Sequence, residues 1–188
     1  MGAALIALLV IGGIVLVVLL FFIAIYNGLV RLRNEVKNAW AQIDVQLKRR
    51  HDLIPNLVET VKGYAAHEKG TFEAVVAART KAVSAQGVEN QARAEGELSQ
   101  ALGRLLMLVE NYPDLKANQN FLALQEELTS TENKIGFARQ FYNDSVMSYN
   151  TRIQSFPPNI IAGMFGFTDS PFFEIEQPAE RAVPQVKF

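Results

Sequence analysis

Apolar side chains fill the start of this chain almost without interruption and then give way to a spacing of three and four. From residue 3 to residue 25 only Gly12 and Gly13 break the run of large or small apolar side chains, and the first charged residue is Arg31. At about 1.5 Å of rise per residue the run measures about 34 Å, enough to cross a hydrocarbon core of about 30 Å with a little tilt. Transmembrane helices tolerate glycine. A cleaved signal peptide would need a basic leading region, a shorter apolar core and a small-residue cleavage site, none of which stands here. A lipid-modified anchor would need a cysteine, and the chain has none. The pattern therefore predicts a retained membrane anchor over residues 1–28.

Beyond the anchor the period is helical. Val36, Trp40, Ile43, Leu47, Ile54, Leu57, Val61 and Tyr64 follow one another at intervals of three and four, with Arg50 in one slot of the same phase. A second seam runs Phe121, Leu124, Leu128, Thr131, Ile135, Ala138, Tyr142, Val146, Tyr149, Ile153, Phe156. Such seams belong to long amphipathic helices that pack against each other. They are predicted over residues 26–64 and 118–155, with Pro157-Pro158 stopping the second and Pro55 kinking the first near Arg50 and His51. Two shorter helical patterns lie between, over residues 71–85 and 90–111. Gly63 and Gly70, Gly87, and Tyr112-Pro113-Asp114 mark the connections.

About 160 residues follow the anchor, which suits one domain better than two. Four helices with short connections predict an all-α, antiparallel up-down bundle of two long and two short helices over residues 29–156. The short helices cover only part of the long pair, so apolar seam remains to be covered. The tail, residues 157–188, is the candidate cover. Residues 156–188 hold six of the 12 Phe and five of the 7 Pro. Three readings stay open for Ile160, Ile161, Met164, Phe165, Phe167, Phe172, Phe173 and Phe188: a strap on the chain's own helices, contacts to another subunit, or insertion at the membrane interface.

Charge and chemistry narrow the function classes. A net charge of -1 lacks the basic surface that nucleic acid demands, and Lys48-Arg49-Arg50 reads as a solvated helix face. His67-Glu68 is not a zinc-protease helix, because Thr71 stands where the second histidine belongs. His51 and His67 lie sixteen residues apart without further ligands beside them, so surface or capping roles are expected rather than metal binding. No strained serine turn, phosphate-cradling glycine loop or dinucleotide motif appears. The carboxylates fall at exposed helix phases, where solvation and ion pairing are ordinary. No enzymatic activity and no cofactor is expected. One polar feature stands apart: antiparallel pairing that sets Val36 near Tyr149 and Tyr64 near Phe121 brings Arg50 opposite the Thr131 to Ile135 region, close to Glu132, and a charge in that phase is costly unless paired. An Arg50–Glu132 contact, joined by Asp52, would set helix register. The competing reading bends Arg50 outward into solvent.

The runs Tyr26-Asn27-Gly28-Leu29-Val30, Asn38-Ala39-Trp40 and Ile43-Asp44-Val45-Gln46-Leu47-Lys48-Arg49-Arg50-His51-Asp52-Leu53-Ile54-Pro55-Asn56-Leu57-Val58 resemble the hallmark of the bacterial LemA family. So do Glu132-Asn133-Lys134-Ile135, Ala138-Arg139-Gln140-Phe141-Tyr142-Asn143, Tyr149-Asn150, Phe156-Pro157-Pro158-Asn159 and Gly166-Phe167. The resemblance implies an N-terminal anchor and an antiparallel helical bundle. It carries no catalytic or binding residue onto this chain, and points toward membrane organisation through relatives linked to magnetosome membranes.

Taken together, these readings predict a non-enzymatic, single-pass scaffold or adaptor that self-associates and organises partner proteins or membrane. A ligand-sensing bundle coupled to the membrane helix, or a membrane-remodelling protein, are the alternatives. The expected partners are further copies of the chain, membrane lipid and a membrane-associated protein. Arg31, Arg33 and Lys37 follow the apolar run and no basic residue precedes it, so the positive-inside bias predicts an inner-membrane protein with a cytoplasmic domain. The anchor lacks a GxxxG dimer motif, so association is expected from the rest of the chain.

Overall fold

A computed structural model describes residues 2–65 and 67–174. Among them it shows six helices and no strand: α1 (Gly2–Lys62), α2 (Lys69–Ser84), α3 (Val88–Val109), α4 (Pro113–Lys116), α5 (Gln119–Gln154) and α6 (Pro158–Phe165). The apolar run and the first seam belong to one uninterrupted helix, since neither Asn27-Gly28 nor Pro55 ends it. Phe188 and the rest of the tail beyond residue 174 lie outside the described residues.

Contacts divide the chain into two compact units. One combines Met1–Ala39 with Asn143–Ser170, the other Trp40–Tyr142 with the segment that begins at Pro171. The second unit holds the four-helix bundle. Its core is a single cluster of Ile54, Leu57, Val61, Phe72, Val75, Leu98, Leu102, Leu105, Leu115, Phe121 and Leu128, drawn from all of its helices. The antiparallel register of α1 against α5 is regular there. Trp40 packs on Tyr142, Arg50 meets Glu132, and Tyr64 accepts a hydrogen bond from Asn118, so each residue gained on α1 is matched by one lost on α5.

Both predicted seams overrun their helices by a step. Tyr64 lies past the end of α1 and Phe156 past the end of α5, and both are exposed, because a helical phase means nothing once the backbone has left the helix. Tyr112-Pro113-Asp114, predicted as plain connection, begins the single turn α4, with Pro113 in the first turn where its missing N–H costs nothing. Gly70 lies inside α2 rather than in the connection before it.

In the first unit the N-terminal turns of α1 carry exposed apolar side chains on every face, from Leu5 to Leu20. Burial starts at Ile25 and Leu29 and recurs at Val36 and Ala39, and on α5 at Val146, Tyr149 and Ile153. The chain after α5 then turns back onto this pair. The Phe156-Pro157 bond is cis, Pro158 opens α6, and Gly166 ends it in the left-handed conformation at φ 68°. That left-handed residue lets the Phe167 amide reach the Ala162 carbonyl at 3.0 Å, the closing bond of a Schellman motif. Phe167 is thereby aimed at α1, with Tyr26 at 5.8 Å edge-on and the Arg33 guanidinium 4.8 Å over its face. Asn150 on α5 fastens the next residues as a peptide group would: its Nδ2 donates to the Ser170 carbonyl and its Oδ1 accepts from the Ser170 amide, both at 2.9 Å.

A Cβ at position 166 meets no neighbour, so Gly166→Ala isolates the cost of the left-handed backbone. We expect Gly166→Ala to lower stability by about 1–2 kcal/mol in chemical denaturation. An unchanged midpoint would mean that the turn is not held in this conformation.

Candidate functional site

The polar chemistry of the bundle converges on two neighbouring residues of α1. Arg50 occupies the seam slot between Leu47 and Ile54 and is 1% exposed. Its Nη2 donates to the Glu95 carboxylate at 2.5 Å and to the Glu95 carbonyl at 3.2 Å, while its Nη1 donates to Glu132 at 2.6 Å and to Ser99 Oγ at 3.2 Å. Glu95 is equally buried. Its other oxygen, Oε1, lies 2.8 Å from His51 Nε2 and accepts from Gln91 Nε2 at 2.8 Å. Gln91, Glu95 and Ser99 stand four residues apart on α3, which puts all three on one face.

Burial disfavours a charged Glu95, but the hydrogen bond and charge of His51, the Arg50 guanidinium and the Gln91 amide outweigh it and hold the carboxyl below its ordinary value of 4.5. Arg50 thus joins one deeply buried carboxylate to one, Glu132, whose side chain is 51% exposed.

Pro55 explains why Arg79 of α2 is drawn to the same place. In an α-helix the carbonyl of residue 51 accepts from the amide of residue 55, and proline has no amide hydrogen. The His51 carbonyl instead accepts from Arg79 Nε at 2.7 Å. All four bundle helices therefore contribute to one polar cluster, which no open passage is needed to complete: Arg50 and Glu95 cannot touch a dissolved molecule unless the helices part.

The structure brings Arg50 and Glu132 together but leaves Asp52 out. Asp52 is exposed, because two residues of helix turn it about 200° away from Arg50. The place expected for Asp52 is taken by Glu95, and His51, expected at the surface, is buried against it. His67 is exposed. Glu95 was overlooked although its spacing to Leu98, Leu102 and Leu105 puts it in a core phase, as Arg50 is on α1. Two opposite charges in two facing seams are the signal that would have found the pair.

The tail residues divide as sharply. Ile161, Phe167 and Phe173 are buried within the chain and cannot serve as contacts to another subunit or to lipid. Phe167 sits on Tyr26 and Arg33, and Phe173 on Trp40, whose other neighbour Tyr142 donates its hydroxyl to the Pro171 carbonyl at 2.8 Å. Burial raises the Tyr142 phenol above its ordinary value of 10.0. Ile160, Met164, Phe165 and Phe172 remain exposed.

Open concavities lie on the bundle unit. One of about 540 Å³ is lined by Glu89, Arg93, Glu97 and Gln100 of α3 with Phe172 and Glu174. Another, about 590 Å³, runs between α1 and α5 and is mainly apolar, with Ala41, Val45, Phe137, Ala138 and Phe141 along it beside Gln42, Gln46 and Lys134. Among the described residues no three metal-binding side chains cluster.

Described residues that form helices and no strand, with one helix long and apolar enough to cross a membrane and a bundle locked by buried charge, define a class of membrane-type helical-bundle protein. The LemA family model matches residues 39–188, and the chain belongs to the LemA family. Magnetosome protein MamQ 2 of Paramagnetospirillum magneticum is 27% identical over 180 residues, covering 82% of this chain and 66% of the relative. Magnetosome protein MamQ of Magnetospirillum gryphiswaldense is 26% identical over the same length, with the same coverage. Protein LemA of Metamycoplasma hominis is 30% identical over 138 residues, covering 72% of this chain and 63% of the relative. The chain thus spans just under two thirds of the length of these relatives.

Two outcomes are expected from this geometry. Glu95→Ala leaves a buried guanidinium without its main partner and should cost about 3–5 kcal/mol, whereas Glu132→Ala, on a half-exposed side chain, should cost about 1 kcal/mol or less. Since folding lowers the Glu95 value, its stabilisation is complete above 4.5 and fades as the pH falls below that. Urea unfolding across that range should show an acid limb that Glu95→Gln flattens. Equal losses for the two alanine variants would contradict the assignment. Separately, Arg79→Ala should cost about 1–3 kcal/mol by orphaning the His51 carbonyl, and less when Pro55→Ala restores an amide donor. A double-mutant cycle showing no coupling between positions 55 and 79 would overturn it.

Proposed function

We propose that this chain is a non-enzymatic scaffold or adaptor, anchored in a membrane by the N-terminal part of α1 and self-associating through the apolar groove of its bundle. The groove carries the reading. Phe137 is 73% exposed on α5, and Val45 and Phe141 present further apolar surface beside it, in the bundle part of α1 and α5, where the other outward positions are mainly polar. A contiguous exposed apolar patch on a bundle that already has a closed core marks a protein contact site. Anchoring supports the same reading, because an apolar helix bare on every side is stable in lipid and not in water. Confinement to two dimensions then raises the effective concentration of neighbouring copies, and a symmetric homo-oligomer is the ordinary result. Arg31, Arg33 and Lys37 favour a cytoplasmic bundle in a bacterial inner membrane.

The charge cluster fits this role better than catalysis, since Arg50 and Glu95 are buried and hold the helices in one arrangement, which gives the bundle one fixed surface. The test is crosslinking of the full chain in native membranes. The unmodified chain should give discrete oligomers, and Phe137→Glu combined with Val45→Glu should reduce them to monomer while changing folding stability by no more than about 0.5 kcal/mol, as surface substitutions do. A chain that stays monomeric at every expression level, or oligomers indifferent to both substitutions, would refute the reading.

A further inference from the structure

Helix α6 lies in the longest stretch after the apolar run without a charged side chain, residues 153–168. Its inner face is spent within the chain, where Pro158, Ile161 and Ala162 are buried. Its outer face is apolar and uncovered: Ile160 is 53% exposed, Met164 67%, Phe165 51%, and Phe156 just ahead of the helix 80%. Ile160 and Met164 stand four residues apart, so they form one stripe.

The position of this face along α1 is fixed by ring contacts. Phe165 lies 6.2 Å from Phe22 and 4.8 Å from Tyr26. Phe22 belongs to the last turn of the apolar run, and Tyr26 follows one turn later. That turn rises about 6 Å, comparable with the interfacial layer of about 5–8 Å between hydrocarbon and water. The next contact up the helix is already charged, with Arg33 over Phe167. Hydrocarbon-type, amphipathic and charged partners thus follow one another along α1 as they would through a bilayer surface, where aromatic rings collect.

We propose that α6 is an interfacial helix: the stripe of Ile160 and Met164, flanked by Phe156 and Phe165, dips below the headgroups into the edge of the acyl region of the same bilayer that α1 crosses. The occupant of this face is a lipid surface, and the continuity of the stripe with the apolar run through Phe165 and Phe22 carries the assignment. The proposal rests on the reading of α1 as a membrane anchor, and goes beyond it by adding a second, lateral contact that fixes the tilt and height of this unit on the membrane.

Because the chain contains no cysteine, single labels are easily placed. The full chain, reconstituted in phosphatidylcholine and phosphatidylglycerol vesicles, would be spin-labelled at Ile160→Cys, at Met164→Cys and, as a reference in the apolar run, at Leu16→Cys. Collision rates with oxygen and with a water-soluble nickel chelate are then compared. Oxygen should dominate at all three sites, with 160 and 164 shallower than 16. If the chelate dominates at 160 and 164 while oxygen dominates at 16, the anchor stands and the interfacial helix is refuted. If both agents are excluded at 160 and 164, another protein surface covers the stripe and the proposal is equally refuted. A chelate-dominated signal at 16 removes the anchor and this inference with it.

Discussion

Arg50 is the constraint around which the bundle is arranged. A guanidinium in the seam of a helix pair is tolerable only where carboxylates and carbonyls reach it from several sides, and here Glu95 and Ser99 of α3 and Glu132 of α5 do so. Apolar side chains along a seam accept a shift of one heptad with little loss, whereas a bidentate charged group accepts one partner geometry. Shifting α1 against α3 by one turn would place Arg50 against Leu98 or Ala92 and leave two charges unpaired in the core. Pro55 extends the same logic to α2, since the carbonyl it orphans is one that Arg79 satisfies. Buried ion pairs add little net stability. Their contribution here is to make one arrangement of four helices different from its neighbours.

The first unit solves another problem, the apolar surface of a helix pair that α2 and α3 do not cover. A short helix, a left-handed glycine and the Asn150 amide bring aromatic rings back onto α1 and α5. Of the apolar side chains left outside on α6, Phe165 lies beside the apolar run of α1. What looks wasteful for a soluble protein is sensible at a bilayer surface.

Much of this was legible in the residue pattern, and the failures have identifiable causes. Long amphipathic helices declare themselves because the three-and-four spacing persists over many turns, and Arg50 stood out as a charge in such a phase. Antiparallel pairing narrows the partner of Arg50 to the Thr131 to Ile135 region, and the structure sets the register three residues from the one the seams suggest, which picks out Glu132. Glu95 was missed because α3 is rich in alanine and glycine around it, with Ala92, Ala94 and Gly96, so its core face shows fewer large apolar residues than the long helices do. His51 was misread because being next to a seam residue does not decide burial; a third helix does, and pairwise seams do not reveal where α3 lies. Tyr64 and Phe156 were carried into the core by a period that the backbone had already abandoned. The tail could be recognised as apolar but not divided, because which ring faces inward depends on Gly166 adopting a left-handed turn.

If the buried charges specify the helix register of the bundle, removing all of them should loosen specificity even where stability survives. The direct measurement is the distance distribution between spin labels at two exposed positions, Glu59 on α1 and Glu126 on α5, by double electron-electron resonance. The native cluster should give one narrow distance, and the combined Arg50→Met, Glu95→Leu, Glu132→Leu chain a broadened or multiple one. A distribution equally narrow and unmoved in that apolar variant would show that packing alone sets the register, and would contradict the account.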